Sequence, residues 1–355
     1  MQIKKCGIII LVKRMKSETK KMIRNFLFFI IILFLTYTVI FSKINMKEIL
    51  NAISNSRIIF LIIAFILATN NITFEAINLK RNFKLLGEKV KFKSCFKYST
   101  IGFFFSSITP ASTGGQPMQL ISMKKDGISY SHGASALFIS YLAYMFTAVT
   151  LALVGFIVNY NYISEINFFK YLIYIGLIAN SFLTTIVLLA MFAPKVAQKG
   201  VNFIAFIIGK FSHKKARNFK KNVSYQLKEY NKSSKFILSH KWATFKTFLI
   251  SFLQVVSIHS VAYFVFAALG FQNYPYLEML LLQAVVFISV SAIPLPGTVG
   301  VSETGFAIMY KHLFPTYIVE TSMLLSRGVS FYLLVILSGI TILIIGLKNK
   351  LKQRK

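Results

Sequence analysis

Glu303 and Arg327 are charged side chains set inside apolar stretches of a 355-residue chain. A lone charge at the centre of a bilayer costs at least about 2.5–3.5 kcal/mol, so each is expected to face the protein interior, near the other. Two roles are open to such a pair. It can lock neighbouring segments together as a structural ion pair. Alternatively, Arg327 can hold a phosphate, because its planar fork bonds two oxygens at once, while Glu303 takes an amine or a proton.

Just before Glu303 runs Pro294-Leu295-Pro296-Gly297-Thr298-Val299-Gly300, and a comparable run, Thr109-Pro110-Ala111-Ser112-Thr113-Gly114-Gly115-Gln116-Pro117, lies earlier. Neither can continue a helix, because proline lacks the backbone donor and glycine clusters favour turns. Gly114, Gly115, Gly297 and Gly300 are expected to supply positive φ, for the turn itself or for close substrate contact. Gln116 can cap a broken helix or touch a headgroup. Lipid cannot satisfy free backbone N–H and C=O groups, so such breaks survive where they line a cavity or meet a ligand. Helix N-termini at breaks also suit anions. Pro110, Gly114, Gly115, Gln116, Pro117, Pro294, Pro296, Gly297, Gly300, Glu303 and Arg327 therefore form the candidate lipid-binding set. Two irregular but ordinary hairpins are the plain alternative.

Two further residues suggest a polar or proton path. His259 lies mid-span near Gln254 and Ser257. A satisfied interior hydrogen bond and proton coupling are both open to it, since imidazole titrates near neutral pH. Glu75 follows Asn70 and Asn71 toward the end of an apolar span. Reaching out to the interface would account for it, whereas the asparagines suggest an inward polar strip.

Other chemistry finds little support. Asp126 is the sole aspartate, the histidines are scattered, and no hydrolase, metal-ligand or phosphate-loop spacing occurs. No catalytic residue, metal or cofactor is expected. Cys6 and Cys95 have no CxxC partner and read as reduced thiols.

The elements that must position these residues are membrane spans. The chain is 55% hydrophobic with 36 phenylalanines. Apolar runs at Ile23–Phe41, Ile58–Leu79, Ala134–Tyr160, Phe168–Ala193, Ala243–Gly270 and Thr321–Leu347 approach or exceed the roughly 20 residues that cross a bilayer. The net charge of +31 lies between these runs, with no basic stripe on a soluble module, so nucleic acid is not an expected partner.

Lysine and arginine near span ends stay on the cytoplasmic side. Met1–Arg24, Lys80–Lys97, Lys124–Gly133, Pro194–Lys241 and Leu347–Lys355 hold 34 of the 41 basic residues. Both termini are then cytoplasmic. With those loops inside, the segments near 98–123 and 278–315 must each enter and leave on one face, and these are the segments that the Pro/Gly runs break. The expectation is an all-α polytopic membrane protein: about six transmembrane helices plus two opposed re-entrant hairpins. An offset of 184 places Ser107 on Ser291, Pro110 on Pro294 and Gly155 on Gly339, which suggests an inverted repeat. Residues 1–22 form a basic N-terminus, 23–347 the membrane domain and 348–355 a basic tail. The first fourteen residues lack a signal-peptide cleavage pattern, and Met15 is an alternative start. The basic stretch Lys210–Lys241 within the cytoplasmic loop 194–241 either sets topology or lies on the anionic inner leaflet.

Ile293-Pro294-Leu295-Pro296-Gly297-Thr298-Val299-Gly300-Val301-Ser302-Glu303, with Arg327 beyond it, resembles the P-x-P-G-x-x-G-x-x-E … R signature of the lysylphosphatidylglycerol synthase transmembrane region, or flippase-like family. The run from Thr109 resembles the matching N-terminal motif of its low-GC bacterial branch. Thr298 departs from the pattern, where many members have glycine. The resemblance implies translocation or binding of a phospholipid, such as anionic or aminoacylated phosphatidylglycerol, in a bacterial cytoplasmic membrane. Full-length members add a soluble domain that transfers lysine from lysyl-tRNA; that domain is expected to be absent here, so lysyltransferase activity is not expected of this chain alone. A membrane subunit serving a separate aminoacyl-transferase chain, an isoprenoid-phosphate carrier and a membrane scaffold are the alternatives. Oligomeric state is not legible.

Overall fold

The computed structural model describes residues 51–353 except 52, 167, 168 and 273. The expected span at Ile23–Phe41 and both terminal segments, 1–22 and 354–355, lie outside the described residues. Within them the fold is all-helical, without a strand, and five helices are long and apolar enough to cross a membrane. These are Ile58–Leu85 (α1), Tyr130–Val158 (α4), the first part of Phe169–Phe192 (α6), Lys241–Ala268 (α9), and Thr316–Arg327 (α12) continued by Leu333–Gln353 (α13).

Between them sit two hairpins. The first is Phe92–Ser107 (α2), a 3₁₀ turn at Pro110–Ser112, and Gly115–Lys125 (α3). The second is Tyr276–Ser291 (α10), a 3₁₀ turn at Pro296–Thr298, and Val301–Tyr310 (α11). The longest arms have 16 residues, rising about 24 Å, which is short of the roughly 30 Å hydrocarbon core. Each hairpin packs arm on arm, and the two breaks touch one another. A single apolar cluster seals that meeting point: Phe105 and Ile108 from the first hairpin, Val299 from the second, and Phe331 and Val335 beyond it.

Small residues permit the close packing. A methyl on Gly155 of α4 would lie 2.7 Å from the Leu281 carbonyl, and one on Gly176 of α6 would lie 2.2 Å from that of Ile288, so α10 rests directly on both. Reciprocally, Gly339 of α13 backs onto Phe104 of the first hairpin. The span after each hairpin thus packs on the other hairpin through a glycine.

The basic stretch 194–241 is almost wholly helical. It forms two amphipathic helices, Pro194–Phe211 (α7) and His213–Ser239 (α8), packed on each other and joined by a hydrogen bond from Gln198 Nε2 to Ser224 Oγ at 2.8 Å. A short helix, Tyr160–Glu165 (α5), links α4 to α6.

Candidate functional site

At the second break the backbone turns through positive φ at Gly297 (59°), Thr298 (51°) and Gly300 (87°) before α11 begins. Glu303 is then the third residue of α11, and its Oε2 accepts from the Gly300 N–H at 2.7 Å. That is half of a capping box, and it satisfies an N-terminal donor that lipid could not. Its Oε1 accepts from Arg327 Nε at 2.9 Å and from the Tyr332 hydroxyl at 2.8 Å. Arg327 Nη2 donates to the Gly297 carbonyl at 3.0 Å, and the guanidinium lies over the Phe331 ring, 4.3 Å from its centroid.

The expected pairing of Glu303 with Arg327 is therefore present, and it reaches further into the break than a simple lock. Glu303 is fully buried, with both oxygens engaged. Arg327 keeps 17% of its side chain exposed, and its Nη1 has no partner among the described residues. Pro294 precedes this turn, and Pro296 opens its 3₁₀ segment.

Tyr332 is a partner that sequence reasoning missed. Five residues on an α-helix turn through about 140°, which would point Tyr332 away from Arg327. The segment Gly328–Tyr332 is instead a π-turn joining α12 to α13, and its wider winding brings both side chains to Glu303.

The first break shares the proline and the two left-handed residues after it, and then diverges. Pro110 opens the turn, and Ala111 (φ 49°) and Ser112 (φ 55°) take the left-handed conformation. Gly114 and Gly115 do not, contrary to expectation; Gly114 is right-handed (φ −85°) and Gly115 begins α3. Their role is space. A methyl on Gly115 would lie 2.0 Å from Ser106 Oγ and 2.7 Å from the Gly102 carbonyl. Gln116 is half-buried without a hydrogen bond among the described residues, and Pro117 is exposed. The capping expected of Gln116 falls to Thr109, whose Oγ1 accepts from the Gly114 N–H at 2.9 Å and donates to the Phe105 carbonyl at 2.6 Å.

The matched turns align Pro110 with Pro296, an offset of 186, whereas the helix ends Ser107 and Ser291 keep 184. The second break carries two extra residues ahead of its turn, so the sequence pairing of Pro110 with Pro294 is displaced by two.

Glu75 does not reach out to an interface. It lies ten residues before the end of α1, and its Oε1 accepts from Nε2 of Gln119, on α3, at 2.7 Å. One turn away, Asn71 accepts through its carbonyl and Oδ1 from Gln254 of α9 at 3.0 and 2.9 Å. His259 is buried, but the satisfied hydrogen bond considered for it is absent among the described residues: its Nε2 is unpartnered, with its ring against Phe287 of α10. Glu75 and His259 are not joined by a hydrogen bond to each other or to the second break.

A model of the lysylphosphatidylglycerol synthase TM region matches residues 23–338. The chain belongs to that family. The match takes in both breaks, Glu75, Glu303 and Arg327. The chain is also similar to a UPF0104 membrane protein of Archaeoglobus fulgidus, 22% identical over 308 residues that cover 84% of this chain and 90% of that protein. Membership in the family and the apolar helices make this a multi-pass membrane protein.

Proposed function

We propose that this member of the family binds an anionic or aminoacylated phospholipid of the phosphatidylglycerol class and carries it between leaflets of a bacterial cytoplasmic membrane. In this reading the hairpins enter from opposite faces and the basic segments and termini are cytoplasmic. The observation that carries it is the open Nη1 of Arg327, held at the place where the two broken hairpins meet. A guanidinium oriented by Glu303 and Gly297 is preorganised, so a phosphate oxygen can bind it without displacing the fold. The non-helical backbone beside it is of the kind that membrane proteins keep for cavities.

The helices α7 and α8 fit the same reading. Arg217, Lys220, Lys221, Lys228, Lys232 and Lys235 are exposed on α8, and Phe203, Phe206 and Ile207 are exposed on α7. A basic hairpin with an apolar partner helix suits an anionic leaflet, each cation adding on the order of 1 kcal/mol. It would concentrate the proposed substrate.

The test is leaflet exchange of a labelled phosphatidylglycerol, and of its lysyl derivative, in liposomes holding the purified protein. Faster exchange than in empty liposomes, reduced by Arg327→Lys in folded protein, is the expected result. Unchanged exchange with wild-type protein over a range of lipids would count decisively against the proposal. The family's synthase description favours a second reading, a membrane subunit for a separate aminoacyl-transferase chain. Lysyl transfer catalysed by this chain alone would overturn both.

A further inference from the structure

The two hairpins are each held by one glutamate, and the two glutamates are treated very differently. Glu303 has an arginine, a tyrosine hydroxyl and a backbone N–H. Glu75 has a single neutral amide, Gln119 Nε2, and no ion pair among the described residues. It is nonetheless the one carboxyl group along α1, whose 18-residue apolar window is among the membrane-crossing segments.

The contact is built rather than incidental. Gln119 sits on α3, the far arm of the first hairpin, and α2 lies between it and α1. Its side chain passes α2 at Gly102, where a methyl group would be 2.3 Å from Nε2 and 2.5 Å from Cδ. The absence of a side chain at Gly102 is the window through which the amide reaches Glu75. Gln119 is itself buried.

Among the described residues no cation is paired with Glu75. From α3 comes the Gln119 amide, and from α4 the Tyr144 hydroxyl lies near enough to interact electrostatically. From α9 comes Gln254, bonded to Asn71 one turn along α1. Arg327, before the π-turn that also packs on α1, is committed to Glu303 and Gly297. A half-buried carboxylate in such a place loses part of its hydration in return for one charge-assisted hydrogen bond. Protonated, it becomes an O–H donor, and the amide can turn its Oε1 to accept.

We propose that Glu75 is a proton-binding site at the seam between α1 and the first hairpin, and that its protonation changes how that hairpin docks. A metal ion is the poorer occupant, because hard cations take six or more oxygens and no such cluster occurs among the described residues. With the proton off, Oε1 accepts from Gln119. With it on, at Oε2, Oε1 remains an acceptor but no longer a charged one, and the weaker bond to Gln119 loosens α3 where it crosses Gly102. The second hairpin, tied by Arg327, does not respond.

Two measurements on full-length protein in phosphatidylcholine nanodiscs test this, and neither requires lipid transport, so failure here is separable from failure of the lipid reading. Infrared difference spectra over a pH titration are expected to contain a protonated-carboxyl carbonyl band that Glu75→Gln abolishes and Gln119→Leu shifts. In a background with Cys6 and Cys95 replaced by serine, a reporter Ser112→Cys should label with a pH-dependent rate, and Glu75→Gln should make that rate flat. A wild-type spectrum identical to that of Glu75→Gln would overturn the proton site. A labelling rate that follows pH equally in both proteins would overturn the coupling.

Discussion

Gly102 and Gln119 share one volume: a methyl at position 102 would sit 2.3 Å from the Gln119 Nε2 that bonds Glu75. Gly102→Ala is therefore expected to displace Gln119 and break its bond to the carboxyl group. A hydrogen bond to a charged group contributes about 1.5–3 kcal/mol, offset here by the roughly 1 kcal/mol that alanine gains over glycine in a helix. The coupling is more telling than the single loss. Gln119→Ala alone should destabilise, and adding Gly102→Ala should cost nothing further, measured by unfolding in detergent. Losses that add would show the two positions to be independent.

Arg327 and Glu303 should behave as a unit. Removing one member of a buried pair leaves an uncompensated charge and typically costs 3–5 kcal/mol, whereas replacing both with apolar groups costs far less. Arg327→Met and Glu303→Leu are each expected to lower thermal stability sharply, and the double variant to recover much of it. Arg327→Lys should fall between, because an ammonium lacks the planar fork that spans Glu303 and the Gly297 carbonyl. Equal stability of the lysine variant and wild type would refute the importance of that fork.

Much of this was legible before any coordinates, and the limits have physical causes. Glu303 and Arg327 stand out because intramembrane charge must be paired, and the long apolar runs mark the spans. The offset of 184 held at the helix ends and slipped at the turns, because two residues inserted ahead of a turn leave helix positions unchanged. Gly114 and Gly115 serve close packing and not positive φ, because a glycine's type does not say which freedom is used. Gln119 and Tyr332 were missed since each depends on a tertiary event, a gap at Gly102 and a π-turn after Arg327. The signal for Gln119 was faint but present: a second glutamine three residues after Gln116, on a helix beside the lone carboxyl group of α1.

Ala111 and Ser112 take the left-handed conformation without being glycine. For an L-residue this costs roughly 1–2 kcal/mol, against about 0.5–1 kcal/mol of extra chain entropy for glycine. Ala111 makes no side-chain hydrogen bond that a change would remove, and it is exposed. Ala111→Gly is thus expected to stabilise the protein by a few tenths to about 1 kcal/mol. Ala111→Val, branched at Cβ, should destabilise it by more. Gly297→Ala at the equivalent turn position should also destabilise, since its methyl would meet Phe331 at 2.2 Å. A destabilised Ala111→Gly variant in a thermal melt would show that the turn is held by something other than backbone preference.

His312, in the connection between α11 and α12, gives a pH dependence whose sign is fixed. Burial lowers its pKa from 6.5, opposed by its bond to the Met309 carbonyl and by the charge of Glu278. The imidazole Nδ1 lies 3.0 Å from that carbonyl, and the ring stacks on Tyr162 with centroids 3.7 Å apart. In the unfolded chain the ring takes up a proton near 6.5, whereas the folded ring resists it to lower pH. Protons therefore favour the unfolded state: the contribution is fully present above 6.5 and is lost as pH falls through the folded value. His312→Phe keeps the stack and removes the titration. Wild-type stability should drop more steeply than that of the variant on acidification from neutral pH, with the difference curve reporting His312 alone. A difference curve that is flat, or that rises on acidification, would mean that the ring is not held neutral by its surroundings.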